Sequence, residues 1–407
     1  MRRLLRGVRA ALAAAGIVAA GVVVAPSAAH AAGTARFVIA EFGYQSGWRV
    51  ERHLRVAADI TGDRRADIVG FGDAGVWTAV AAGGGNFNSP RFVIADFGYN
   101  TGWRVPRHAR FVVDISGDGR ADIVGVGEYV TYSALSRGDG TFEPMRVAMT
   151  GFNAASVPFT YYAEDVNADR RADLIWISDG IVAIALSNGD GTFAAPYAAT
   201  YEFGATQFAA TRVVHLDTDR VAEVLAMRDN GGFHDAPLVV ARQGPNGRFL
   251  PSEPTGASGY FDAIADVNGD GFADLVAYSL YANDGTYVAL GMGAGTFANY
   301  TKAISYFAYN QGWNSDRPRT LANLSSDNRA DLVGFGYSGV VTSFGQANGT
   351  FAPARLAIAD FGQQTGWRVD RHVRILADIT ADNRADIVAF GDAGVWVAVA
   401  APDGTFL

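Results

Sequence analysis

The sequence predicts an all-β fold: a seven-bladed β-propeller of four-stranded antiparallel blades, closed by an N-terminal strand that completes the last blade. Three observations predict it. One block, FVIADFGYNTGWRVPRHARFVVDISGDGRADIV at residues 92–124, recurs nearly unchanged at residues 37–69 and 356–388. An acidic turn spaced D-x-[TSN]-x-D-x-x-x-D, intact or degenerate, marks seven units beginning at Asp59, Asp114, Asp165, His215, Asp266, Asn323 and Asp378, 50 to 57 residues apart. Each turn is followed by short runs rich in Val, Ile, Phe and Tyr, cut by Gly and Asp, with no sustained helical period. Such runs are strands of a meander, and four strands per repeat make a propeller blade. A row of β-sandwiches would need each unit of about 50 residues to bury a core of its own.

The first residues stand outside this pattern. Arg2, Arg3, Arg6 and Arg9 form a basic head, residues 10–24 are apolar, and Ala29-His30-Ala31 supplies a small-x-small cleavage signature. That order is a secretory signal peptide over residues 1–31, with the propeller occupying residues 32–407. An apolar run of 15 residues falls short of the roughly 20 that span a bilayer, so no membrane insertion is expected. The formal charge is −8, and losing four arginines with the signal makes the mature chain more acidic still. With no basic run, nucleic acid is not an expected partner. Cysteine is absent, so a secreted chain must be stabilised by burial and ring closure instead of disulfides.

Within the second unit, strands are expected at residues 110–115, 122–127, 130–136 and 145–149. A glycine-rich hairpin ending in Phe follows the third, as in GDGTF at residues 138–142 and again at 189–193. The last unit ends after its third strand, residues 395–399, while residues 35–42 match a fourth strand. The N-terminal strand therefore completes the seventh blade and fastens the ring.

The acidic turn, which joins strands 1 and 2, offers side-chain oxygens at positions 1, 3, 5 and 9. Calcium takes about 6–8 oxygens in flexible geometry and suits such a set. Asp266, Asn268, Asp270 and Asp274, with Gly271 at position 6, give the best match. Asp114, Ser116, Asp118 and Asp122 come next, then Asp165, Asn167, Asp169 and Asp173, with Asp59, Thr61, Asp63 and Asp67 and Asp378, Thr380, Asp382 and Asp386 also patterned. The units at His215 and Asn323 depart from it and are expected to hold no ion. Asp and Asn also close tight turns through their own backbone, and Arg65, Arg120, Arg171, Arg329 and Arg384 stand ready to neutralise an acid.

The second signature, GYNTGWRVPRH at residues 98–108, joins strand 4 of one blade to strand 1 of the next, so it lies on the opposite face. Loops between strands 2 and 3, such as GDAGVW at residues 72–77 and 391–396, share that face. Together they offer aromatic rings, a carboxylate, an imidazole and bare glycine backbone. A sugar needs these groups: its C–H face packs on a ring and its hydroxyls need paired donors and acceptors. The candidates are Tyr44, Trp48, Arg49, His53, Asp73 and Trp77; Tyr99, Trp103, Arg104 and His108; Tyr309 and Trp313; and Trp367, Arg368, His372, Asp392 and Trp396. The tryptophans could equally wedge adjacent blades together.

The text FGYxxGWRVxRHxR, ADxTGDxxADIVGFGDAGVW and NGTF resembles the seven-bladed fungal lectins of the Psathyrella velutina type. These belong to the wider FG-GAP/VCBS repeat group, which includes the integrin α-chain propeller. The resemblance spans residues 34–407. It implies a monomeric lectin for glycans with terminal N-acetylglucosamine or sialic acid, bound between consecutive blades, with Ca²⁺ in some acidic turns. The loops entering blades 3, 4 and 5 lack Gly-Trp, and the one entering blade 6 keeps Tyr309, Gly312 and Trp313 but reads Asn314-Ser315-Asp316-Arg317-Pro318 thereafter. Sugar pockets are therefore expected along one arc of blades 6, 7, 1 and 2.

Three functions stay open at this point. A secreted, multivalent, non-enzymatic lectin leads, since several weak pockets on one glycan surface gain avidity. An integrin-like calcium-binding propeller would use the same face for a protein partner. A glycosidase would need one asymmetric pair of carboxylates, and Glu202, His215, Glu223 and His234 in the degenerate blades are where it would lie.

Overall fold

The computed structural model describes residues 34–151, 160–178, 180–203, 208–228, 235–244, 247–279 and 285–407. Residues 1–33, where the signal peptide is expected, His234 and most of the loop entering blade 3 lie outside them. Seven four-stranded antiparallel sheets follow one another along the chain. In blade 2 the strands are Arg110–Val113, Asp122–Val126, Val130–Ala134 and Arg146–Thr150, each end within two residues of expectation. Blade 7 draws three strands from the end of the chain and its outer strand, Arg36–Ile39, from the beginning. That strand runs antiparallel to Val395–Ala398, with Arg36 opposite Val397 and Ile39 opposite Val395. The expected closure is present. None of the described helices is long and apolar enough to cross a membrane.

Second strands carry the core. Asp67–Phe71, Asp122–Val126, Asp331–Phe335 and Asp386–Phe390 are buried at every residue. A strand covered on both faces by neighbouring blades has no solvent side, so its sequence is a continuous apolar run without alternation. Each apolar cluster accordingly mixes two blades: Val69, Phe71 and Val76 of blade 1 pack with Val112, Ile123 and Ala134 of blade 2.

The acidic-turn face is stitched by backbone. The alanine just before position 9 (Ala66, Ala121, Ala172, Ala222, Ala273, Ala330 and Ala385) donates its amide to a turn carbonyl of the preceding blade. The acceptors are Asp378, Asp59, Asp114, Asp165, Leu216, Asp266 and Asn323, at 2.7–3.1 Å, so the bonds run right round the ring. Beneath them the acid at position 9 is buried in every blade and accepts the amide of position 2, as Asp67 does from Ile60 at 3.1 Å and Glu223 from Leu216 at 2.9 Å. In six blades it also accepts an amide from the end of strand 3, as Asp67 does from Ala81 at 2.7 Å. The two bonds tie a turn to its own hairpin, which is why an acid recurs there.

Candidate functional site

The acidic turns close on themselves. The Asp59 carboxylate accepts the amides of Thr61, Gly62, Asp63 and Arg64, and Asp63 pairs with Arg65. Asp118, Asp169 and Asp382 are likewise paired with Arg120, Arg171 and Arg384. A cation needs these oxygens turned to a common centre, whereas here they are turned onto amide and guanidinium donors. The Asp266 turn has Phe272 in place of the arginine, yet its Asp266 oxygens accept Gly269 and Gly271 at 2.6 and 2.8 Å. In this arrangement the turns do not fit calcium without displacing those contacts. Among the described residues, acid oxygens gather at metal-like spacing at Asp217, Asp219 and Glu223, all within 4.8 Å of one another, in a unit whose sequence pattern had been broken.

On the opposite face, the loops entering blades 1, 2, 6 and 7 are each clamped to the blade they leave. Tyr99 and Asn100 donate their amides to the carbonyls of Gly72 and Asp73, and Tyr44 and Gln45 do so to Gly391 and Asp392. This approach requires glycine: a Cβ on Gly98 would stand 2.5 Å from the Gly75 nitrogen. Four residues on, Gly102 turns the chain at a φ of 100°, a left-handed conformation that glycine adopts without strain.

The turn drives the tryptophan inward. Trp48, Trp103, Trp313 and Trp367 are all buried and pack on Phe42, Phe97, Phe307 and Phe361 at ring separations of 4.8–5.1 Å. The indole nitrogens of Trp103 and Trp367 donate to Asp96 and Asp360 at 3.0 and 3.1 Å. Of the two roles the sequence left open, the structure shows the inter-blade wedge. A ring enclosed this way has no face to give a sugar. Trp77 and Trp396 stand half-buried on third strands, against Phe92 and Phe37 at 5.3 and 5.2 Å.

The histidines are clamps of the same kind. His53 Nδ1 accepts the Arg49 amide at 3.0 Å, which places the proton on Nε2, and Nε2 donates to Asp73 at 2.9 Å. His372 repeats this with Arg368 and Asp392, and His108 with Arg104 and Glu128. Burial lowers the pKa of all three against the opposing pull of the carboxylate, so each ring stays neutral and spends both nitrogens within the protein. What each histidine does is hold a partly exposed carboxylate.

The exposed parts of the site are drawn from two blades. Between blades 7 and 1, the Tyr44 ring is met by Arg49 of its own loop at 3.7 Å and by Arg371 of blade 7 at 4.0 Å, and Arg371 is bound to Asp392 at 2.6 Å. Between blades 1 and 2, Tyr99 is met by Arg104 at 3.7 Å and Arg52 at 4.0 Å, with Arg52 bound to Asp73 at 2.5 Å. Arg52, Arg371 and Arg107, which pairs with Glu128, were missed from the sequence. Their signal was there: an arginine precedes the recurring histidine in all three repeats.

Between blades 6 and 7 the same frame carries other side chains. Gln363 stands where the tyrosine was and Tyr337 where the aspartate was; Arg317 donates to Gln363 at 3.1 Å. Here a cleft of about 700 Å³ opens beside Tyr337, Gln363 and Arg368. Tyr309 and Trp313 belong to the cleft between blades 5 and 6, which borders residues outside the described set. Of the residues considered for catalysis, His234 lies outside the described residues and the other three have local partners. Glu202 accepts Ser252, Glu223 accepts Leu216, and His215 lies 3.5 Å from Glu164.

No protein-family model matches the chain, and no curated protein does. Among solved structures, one from Photorhabdus luminescens, of a Tc holotoxin pore, aligns with 92% of this chain and 15% of its own at 16% identity and a TM-score of 0.51, which speaks to fold alone. A lectin of Agrocybe aegerita that recognises non-reducing terminal N-acetylglucosamine aligns at 31% identity and a TM-score of 0.52, over 91% of this chain and 83% of its own. The chain is thus a seven-bladed β-propeller similar, over nearly its whole length, to a lectin.

Proposed function

We propose that this protein is a secreted, non-enzymatic lectin that binds N-acetylglucosamine-type sugars between blades on the loop face. The observation that carries the reading is the 31% identity, over 91% of the chain, to a lectin for terminal N-acetylglucosamine. The clefts support it chemically. Anchored guanidiniums and carboxylates supply donors and acceptors for hydroxyl and acetamido groups, and their anchoring reduces the entropy lost on binding. Secretion rests on the basic head, apolar run and Ala-x-Ala of residues 1–31. Calcium is proposed for the Asp266 turn alone, where no arginine competes and binding must displace the contacts now made to the oxygens of Asp266, Asn268 and Asp270.

The test is a glycan array with the purified mature protein, followed by calorimetry with N-acetylglucosamine and its β1,4-linked dimer. Binding confined to glycans ending in N-acetylated sugars is the expected result. A blank array with folded protein overturns the reading.

A further inference from the structure

We propose that the cleft between blades 6 and 7 is the principal sugar subsite, that Tyr337 is its stacking platform, and that it selects a neutral pyranose over an acidic one. This rests on the carbohydrate-binding reading above and assigns it a place.

Three clefts of the arc are fully described, and they are not equivalent. At blades 7 and 1 and at blades 1 and 2, the loop tyrosine is half-buried and engaged by two guanidiniums within 4.0 Å of its ring. Its π surface is already committed to cations. At blades 6 and 7 the exchange of positions undoes this. Gln363 has no ring for Arg368 to cover, and its amide oxygen takes the Nε proton of Arg317 instead. The aromatic group has moved to Tyr337, which is 54% exposed and has Arg317 no nearer than 5.4 Å from its ring centre. An exposed ring at the wall of a cleft of about 700 Å³ is what the C–H face of a pyranose needs.

The polar lining then sets the charge preference. Arg368 is tethered through Nη1 to the carbonyls of Gln363 and Trp367 at 2.7 and 2.9 Å, leaving its other N–H groups for a ligand oxygen. The same lining brings two carboxylates, Asp316 and Asp370. Against the single lining cation, Arg368, they leave one negative charge in excess. A sugar hydroxyl or acetamide finds both donors and acceptors there, whereas a sugar carboxylate meets two like charges.

Calorimetry on the mature protein tests the assignment, using the N-acetylglucosamine dimer and N-acetylneuraminic acid as ligands. Tyr337→Ala, a change at an exposed side chain, should keep the wild-type melting temperature and weaken the dimer at least about tenfold. Tyr337→Phe should restore binding, Tyr44→Ala and Tyr99→Ala should weaken it less than Tyr337→Ala does, and Tyr201→Ala, at an exposed ring of blade 3 outside the arc, should stay within about twofold of wild type. If Tyr337→Ala binds as wild type does while Tyr44→Ala or Tyr99→Ala loses binding, the placement is wrong though the lectin reading stands. N-acetylneuraminic acid binding as tightly as the dimer overturns the charge preference. No binding of either ligand by the wild type removes the lectin reading itself, and this proposal with it.

Discussion

Trp103→Ala separates a structural tryptophan from a ligand-binding one. Trp103 is 5% exposed, packs on Phe97 at 5.1 Å and Tyr132 at 6.1 Å, and lies over Gly125, a position with no side chain to fill the space it vacates. Truncating a buried tryptophan costs about 3–5 kcal/mol. The lost bond to Asp96 adds little, because that carboxylate keeps the Phe97 amide at 2.6 Å. At about 2.1 cal/mol/K per residue, a ring of residues 34–407 unfolds with an entropy of about 0.8 kcal/mol/K. The substitution should therefore lower the melting temperature by about 5 °C. Far-UV circular dichroism gives the midpoint, and a sugar titration well below it gives the affinity. A midpoint within about 1 °C of wild type together with lost sugar binding would show that the ring meets the ligand, and would refute the wedge.

Three further outcomes are expected. Burial raises the pKa of Asp67, Asp122, Asp274, Asp331 and Asp386 to about 6, and of Asp173 and Glu223 to about 7. The folded state thus holds these protons more tightly than the unfolded chain, so their contribution is full near pH 4 and fades as pH rises through 6 to 7. His53, His108 and His372, shifted downward, favour the higher pH, but seven acids outweigh three imidazoles and the ring should melt higher at pH 5 than at pH 7.5; Asp139, Asp190 and Asp392, also shifted downward, act below that window. Deleting residues 34–39 leaves Val395–Ala398 without its outer partner, and urea unfolding should shift to lower concentration with a broader transition. Calcium added to chelator-treated protein should register at one weak site that Asp270→Ala removes, and five equivalent sites would contradict the assignment to the Asp266 turn.

The fold was legible because its determinants are local and repeated. The acid at position 9, the alanine before it and the Gly-x-Phe hairpin recur at fixed offsets, and each makes the same bond in successive blades. The site was legible only in part, because its partners come from different repeats. Reading along one repeat puts Tyr44 with Asp73, whereas the ring puts Tyr44 with Arg371 and Asp392. Tyr337 and Gln363 escaped notice for a related reason: each breaks its own repeat, and the compensation shows only when blades 6 and 7 are set side by side. The tryptophan motif misled in the other direction. Glycine-tryptophan text has the composition of a sugar site, but the left-handed glycine before the indole turns it into the core.

The amide bonds from Ala66 and its six counterparts lie on the face opposite the clefts, and this has a bearing on how the molecule can change. Closure is guaranteed by backbone groups that no loop substitution reaches. Four of the seven loops on the other face could therefore drift from the Arg-Val-x-Arg-His text, three of them losing Gly-Trp altogether, while blades 3, 4 and 5 kept four strands each. The ring behaves as a rack with interchangeable fittings. Loops grafted between blades, including new recognition sequences in the degenerate half, should be accepted one at a time, with the opposite face left to hold the circle shut.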